Sequence, residues 1–212
     1  MALKYLFAGS DEADTASIEE SPINVIMPSP APFEMRSVGL YGHVNEERGS
    51  ELVYNLFRMA ESGKYFDEET DELRCEPLRF VICTPGGTSS DMFAIYDAMR
   101  IVRETCDIET LAIGEVMSAG VLLLAAGTRG HRKIGRNCRV MLHSITAGSH
   151  GSMNNMENEM EEFRWIQSRY AATLKEETKM TKNQIKKIFN SNVDVYFDAE
   201  QAVKYGIVDE VI

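Results

Sequence analysis

The stretch from Gly114 to Gly127, Gly-Glu-Val-Met-Ser-Ala-Gly-Val-Leu-Leu-Leu-Ala-Ala-Gly, constrains this chain more than any other. A β-rich apolar run, Thr110 to Ile113, leads into Gly114, and Val121 to Ala126 is apolar on every side. A segment apolar all round is buried all round. Ser118 therefore stands where a strand ends and a buried helix begins. At a helix start the backbone N–H groups are free and the dipole is positive. Ala119 and Gly120 leave room for another backbone or a substrate to come close. A serine in that place can attack a carbonyl and hold the oxyanion with nearby N–H groups. It can equally be an N-cap or a packing residue.

Around this stretch the chain alternates strands and helices. Ser37 to Tyr41 reads as a strand ending at Gly42, and Glu46 to Glu61 as a helix with Leu52, Leu56 and Met59 on one face. Gly63 to Pro77 reads as a charged loop. Leu78 to Cys83 reads as a buried strand running into Thr84-Pro85-Gly86-Gly87, where the glycines let the backbone turn sharply and aim N–H groups into a cleft. The next helix carries Met92, Ile95, Met99 and Val102 on one face, with Tyr96 beside it, and a strand over about 109–113 follows. A strand, a glycine turn at Gly42, Gly86-Gly87 or Gly114, and a helix thus recur three times. That is an α/β fold with largely parallel pairing.

Further on, Cys138 to Leu142 is a strand with His143 at its end, and Ser144 to Ser152 a flexible extended loop. The longest helix runs from Asn154 to about Lys179, with Met156, Met160, Phe163, Ile166, Tyr170 and Leu174 in one stripe. Thr181 with Gln184, and Asp198 with Gln201, fit capping boxes that start helices near 182–190 and 199–204. Ile207 to Ile212 reads as a final strand. At the other end, residues 9–22 are acidic and read as a mobile tail, and Ile23 to Met27 as a short strand before Pro28, Pro30 and Pro32.

Composition narrows the function. A net charge of −11 opposes a nucleic-acid footprint and an anionic membrane surface. No apolar run approaches the roughly 18 residues of a membrane span. Cys75, Cys83, Cys106 and Cys138 form no Cys-x-x-Cys pair, which fits reduced thiols in a cytosol-like compartment. The histidines form no metal-ligand cluster, so a metal site is unsupported.

Three residues then stand at strand ends or turns: Ser118, His143 and Asp194. A hydroxyl needs a neighbouring base near neutral pH, and imidazole is the side chain suited to that work. The imidazole needs an acceptor to fix its tautomer, and a carboxylate serves. Each has a plainer role open to it: a backbone-bonded histidine, a turn or capping aspartate.

The segments Thr84-Pro85-Gly86-Gly87, Met117-Ser118-Ala119-Gly120 running to Ala125-Ala126-Gly127, Arg139-Val140-Met141-Leu142-His143, and Asp194 with Asp198 to Asp209 resemble, in order and spacing, the ClpP caseinolytic protease family. The resemblance covers roughly residues 37–212 and leaves 1–36 as a divergent N-terminal segment. It implies a ClpP/crotonase-like fold of repeated β-β-α units, with the helix at about 154–179 as a handle between stacked rings. It implies a serine endopeptidase with Ser118 as nucleophile, His143 as base and then acid, and Asp194 as orienting carboxylate. Gly87, with Gly86 as the alternative, would supply the oxyanion N–H groups together with Ala119. Gly148, Ser149, His150 and Gly151 would form a strand that binds substrate main chain by β-addition. It also implies a cytoplasmic homo-oligomer of seven-subunit rings, an AAA+ unfoldase that alone uses ATP, unfolded polypeptide substrates, and no metal or other cofactor.

The chain departs from the family in places. Ser144 and Ile145 stand where Gln-Pro is usual, and Asn192 and Val193 where an acid–arginine pair helps join the rings. The changed 192–193 pair, together with the divergent N-terminal segment and an end at Ile212 where many relatives continue into a tail, keeps open a largely non-catalytic ring subunit that modifies a partner Clp assembly. Two further readings are a crotonase-like acyl-CoA enzyme and a Ser–Lys peptidase with Lys133 as base.

Overall fold

The computed structural model describes residues 35–191 and 193–212. The expected acidic tail at 9–22, the strand at 23–27 and Asn192 lie outside the described residues.

In chain order the elements are β1 (Ser37–Tyr41), α1 (Glu46–Ser62), β2 (Lys64–Asp67), β3 (Glu72–Cys75), β4 (Leu78–Thr84), α2 (Ser89–Val102), β5 (Ile108–Met117), α3 (Ala119–Ala125), β6 (Arg132–Ile134), β7 (Arg139–Leu142), α4 (Met153–Glu177), α5 (Lys182–Phe189), β8 (Val195–Phe197), α6 (Ala199–Lys204) and β9 (Glu210–Val211). The main sheet runs β1-β4-β5-β6-β9, with β7 paired to the far end of β5 and β8 to β7. All its pairs are parallel except β7–β8. The α/β reading therefore holds, with the helix faces buried as the spacing predicts: Leu52, Leu56 and Met59 on α1, and Met92, Ile95, Tyr96, Met99 and Val102 on α2. Both capping boxes form, at Thr181/Gln184 and Asp198/Gln201.

Four expectations are corrected. Gly63–Pro77 is not a loop throughout: β2 and β3 pair antiparallel, with Asp67 Oδ1 accepting from the Glu69 N–H at 3.0 Å in the turn. The third turn is not at Gly114. That glycine lies inside β5 with φ +65, where the strand bends. Before the bend β5 pairs with β6, and after it with β7. The final strand is only Glu210–Val211. Finally, Cys75 and Cys106 are not reduced thiols but a disulfide. The Leu78↔Ile108 register of β4 and β5 brings the end of β3 beside the α2–β5 connection, so cysteines 31 residues apart meet. Cys138 is free and buried, and burial pushes its thiol up to about 12.

The C-terminal end of α4 is fixed by a charged hub. Buried Arg132 on β6 donates to both carboxylate oxygens of Asp209, at 2.9 and 2.6 Å, and to the carbonyls of Glu177 and Ala125. The Glu177 carboxylate accepts from Arg103 at 2.7 Å and from the Tyr96 hydroxyl at 3.0 Å. Only this end of α4 is deeply packed, through Tyr170, Thr173, Leu174 and Glu177. Toward the N-terminus Met153, Met160 and Trp165 are exposed. Among the described residues no helix is long and apolar enough to cross a membrane.

Candidate active site

Two strand registers assemble the site. Met117 pairs with Met141 in the parallel β5–β7 ladder, so the residues that follow, Ser118 and then His143, emerge on the same edge. Leu142 pairs with Val195 in the antiparallel β7–β8 ladder, which sets Asp194 opposite His143. Residues 25 and 51 positions apart are thereby brought within a few ångströms without any loop having to fold over.

Ser118 has φ 53 and ψ −118, and it is one of only two non-glycine residues at positive φ among the described residues. Such a conformation stores about 1–3 kcal/mol and survives only where its surroundings over-determine it. They do so here. The Ser118 N–H donates to the Met141 carbonyl at 2.8 Å. The Ser118 carbonyl accepts from the Val121 N–H at 3.0 Å and from the Tyr170 hydroxyl at 2.7 Å. The serine side chain makes no capping bond to α3, so the N-cap role is not the one it plays. Its hydroxyl lies instead 2.8 Å from His143 Nε2. The other ring nitrogen, Nδ1, is 3.6 Å from Asp194 Oδ1. That is ion-pair range rather than a hydrogen bond. His143 is partly buried, while the Asp194 side chain is 49 % exposed.

The β4–α2 turn abuts this elbow. Gly86 has φ +98, and a Cβ there would lie 2.7 Å from Ser118 Cβ. Gly86 cannot serve as an oxyanion donor in this arrangement, because its N–H is given to Thr84 Oγ1 at 3.0 Å. Thr84 Oγ1 in turn donates to the Gly42 carbonyl at 2.6 Å. The N–H groups of Gly87 and Ala119 have no acceptor among the described residues, and both residues line the cleft with Ser118 and His143. Gly120 does not leave room for substrate. A Cβ there would strike Thr84 Cγ2 at 2.4 Å, so its space goes to packing α3 on β4.

The cleft measures about 240 Å³ and has an apolar wall of Met92, Ile145, Phe163 and Ile166. The segment after β7 forms no strand between His143 and Ser152. Its cleft-lining residues are Ile145, Thr146 and Ala147, whereas Gly148, Ser149, His150 and Gly151 lie outside the lining. Two exposed glycines and the absence of a neighbouring strand leave 148–151 without the pairing that defines a strand. A larger cavity, about 520 Å³, lies between α4 and α5, but its lining contains no histidine to serve as base.

Lys133 is not the base. Its ammonium binds Glu109 Oε2 at 2.7 Å, and its partner in the β5 ladder is Leu111, seven residues before Ser118. At about 3.3 Å per strand residue that is on the order of 20 Å away. The Lys133 hydrogen bond is also the main reason why the Glu109 carboxyl sits below its usual range. Cys138, with its raised thiol, is no nucleophile either.

Tyr170 is the site residue that the sequence hid. It reads as one more apolar position in the α4 stripe, and nothing in the pattern shows where its hydroxyl goes.

Comparison with known proteins identifies the family. The Clp protease family model matches residues 33–212. The chain is 32% identical over 180 residues to ATP-dependent Clp protease proteolytic subunit 1 of Corynebacterium glutamicum, covering 84% of this chain and 80% of that one. It is 34% identical over 137 residues to proteolytic subunit 4 of Rhodococcus jostii, covering 65% and 69%. It is 29% identical over 211 residues to proteolytic subunit 2 of Corynebacterium jeikeium, covering 99% and 91%. The matched region spans every described strand and helix, and the chain belongs to the Clp protease family.

Proposed function

We propose that this chain is a serine endopeptidase, the proteolytic subunit of a ring-shaped compartmental protease that hydrolyses unfolded polypeptides. The observation that carries the reading is the 2.8 Å approach of Ser118 Oγ and His143 Nε2 beside two free N–H groups. Ser118 Oγ attacks the scissile carbonyl carbon while its proton passes to His143 Nε2. The carbonyl oxygen becomes an oxyanion held by the Gly87 and Ala119 N–H groups. His143 then gives the proton to the leaving amine nitrogen, the C–N bond breaks and an acyl-serine remains. A water deprotonated by His143 then attacks the acyl carbon, His143 returns the proton to Ser118 Oγ as the acyl–Oγ bond breaks, and the acid leaves. Asp194 orients the imidazole and stabilises its charged form. Only protein groups act in these steps, and ATP enters through an AAA+ unfoldase partner.

Backbone groups of residues 146–151 make no hydrogen bonds among the described residues. This supports an extended substrate lying along 145–151, with Gly148, Ser149, His150 and Gly151 at its outer end. The exposed Met153, Met160 and Trp165 of α4 support a homo-oligomer, which we take to be seven-subunit rings that stack through this helix. The reading places the protein in the cytoplasm, where unfolded chains and ATP occur together, and the Cys75–Cys106 disulfide, of a kind rare in that compartment, is the observation that stands against this location.

A second reading is favoured by one observation, the 3.6 Å gap between His143 Nδ1 and the half-exposed Asp194. In it the chain is a largely non-catalytic ring subunit that modifies a partner Clp assembly. Hydrolysis of a fluorogenic peptide by the purified assembled protein decides between them. Activity lost in both Ser118→Ala and His143→Ala supports the peptidase. An assembled wild type no faster than Ser118→Ala supports the modifier.

A further inference from the structure

The peptide unit joining Ser118 to Ala119 carries both the Ser118 carbonyl and the Ala119 N–H. A trans peptide is planar, and these two groups point in opposite directions. Whatever holds the carbonyl therefore aims the N–H. Of the two donors on that carbonyl, Val121 N–H belongs to the first turn of α3 and moves with it. The other, the Tyr170 hydroxyl at 2.7 Å, comes from a separate element, α4.

Tyr170 is itself well held. Its side chain is buried, and its ring stacks on Phe189 of α5 with centroids 5.4 Å apart and planes 18° from parallel. Burial pushes its hydroxyl pKa upward, so the group remains a proton donor at any working pH. Nothing in the reaction sequence given above uses it.

We propose that Tyr170 is a positioning residue, which fixes the 118–119 peptide from α4 so that the Ala119 N–H points at the forming oxyanion. The inference rests on the serine-peptidase reading. A hydrogen bond accepted by an amide carbonyl also polarises the amide and strengthens its N–H as a donor, by roughly 10–30%. The oxyanion exists only beyond the ground state, so the contribution falls on kcat and not on KM. The stacked seat of α4 on α5 thereby becomes part of the catalytic apparatus.

Tyr170→Phe removes the hydroxyl and keeps the buried ring. A neutral hydrogen bond worth about 0.5–1.5 kcal/mol corresponds to roughly 2- to 12-fold in rate. In the assembled protein we expect kcat on a fluorogenic peptide to fall about fivefold, within that range, with KM unchanged. A peptide aldehyde, whose hemiacetal oxygen occupies the oxyanion position, weakens by the same factor. Phe189→Leu, which unstacks the ring and keeps the hydroxyl, gives a smaller loss of the same kind. Wild-type kcat and aldehyde affinity in Tyr170→Phe overturn the proposal. A raised KM at unchanged kcat overturns it too, because that is ground-state binding by the cleft wall. If the wild type is no more active than Ser118→Ala, the peptidase reading itself falls and takes this inference with it.

Discussion

Gly86→Ala tests whether the two turns of the site behave as one body. The added Cβ would lie 2.7 Å from Ser118 Cβ, 2.9 Å from the Met117 carbonyl oxygen and 3.3 Å from the Ala119 nitrogen. Carbon atoms rest about 3.5–4.0 Å apart, so the turns must separate by about 1 Å. The φ of +98 adds about 1–2 kcal/mol for any L side chain, and overpacking adds about 1–3 kcal/mol. The separation falls between Ser118 and the strand turn that carries the Gly87 N–H. A displacement of that size in a reacting constellation costs about 100-fold. The assay is the rate of inactivation by a fluorophosphonate, followed alongside thermal denaturation. Gly42→Ala is the control: its φ is +83, yet a Cβ there meets no atom within 4 Å. It carries the backbone strain without the clash, so its melting temperature falls while its labelling rate stays near that of the wild type. Folded Gly86→Ala protein labelled at the wild-type rate would refute the reasoning, as would equal losses in the two variants.

Three further outcomes are expected. Asp194→Asn should slow peptide hydrolysis by about 10- to 100-fold, short of the roughly 10⁴-fold seen where a triad aspartate is buried and hydrogen-bonded, because Asp194 is 49 % exposed and 3.6 Å away. Burial would raise the Asp209 carboxyl, but Arg132 more than offsets this and holds it at about 2 against an ordinary 3.8. The resulting stability, about 1–2 kcal/mol after screening, is complete above about pH 5 and lost progressively as pH falls through the folded value toward about pH 1. Denaturant titrations of wild type and Asp209→Asn should converge over that window, and a constant gap would contradict the assignment. The Cys75–Cys106 disulfide closes a loop of 31 residues and should contribute about 3–4 kcal/mol. Thiol titration should find Cys75 and Cys106 unreactive without a reductant, and reductant should lower the stability of the wild type but not of Cys75→Ser.

What could be read from the residues alone follows the physics of each element. Ser118 and His143 were legible because apolar runs mark strand ends, and a polar residue at such an end is conspicuous. Both capping boxes were legible because their signal is local. The β2–β3 hairpin was not, since both strands are exposed and show no apolar alternation to detect. Gly114 reads as a turn because a glycine after an apolar run usually is one, and only the partner switch of β5 from β6 to β7 makes it a bend. The disulfide depends on the β4–β5 register, which spacing between cysteines does not encode. Gly86 stays open as an alternative donor to Gly87 until Thr84 Oγ1 is seen to occupy its N–H. Tyr170 was hidden most completely, because a hydroxyl at an apolar helix position has no sequence signature.

The most direct test of the central claim is intact-mass analysis of the assembled protein after treatment with a fluorophosphonate, in parallel with Ser118→Ala. The account predicts one adduct per chain, confined to the wild type, because Ser118 Oγ lies 2.8 Å from His143 Nε2 in a cleft that Gly87 and Ala119 also line. An assembled wild type that takes up no adduct, or a Ser118→Ala protein that takes up the same one, would contradict it.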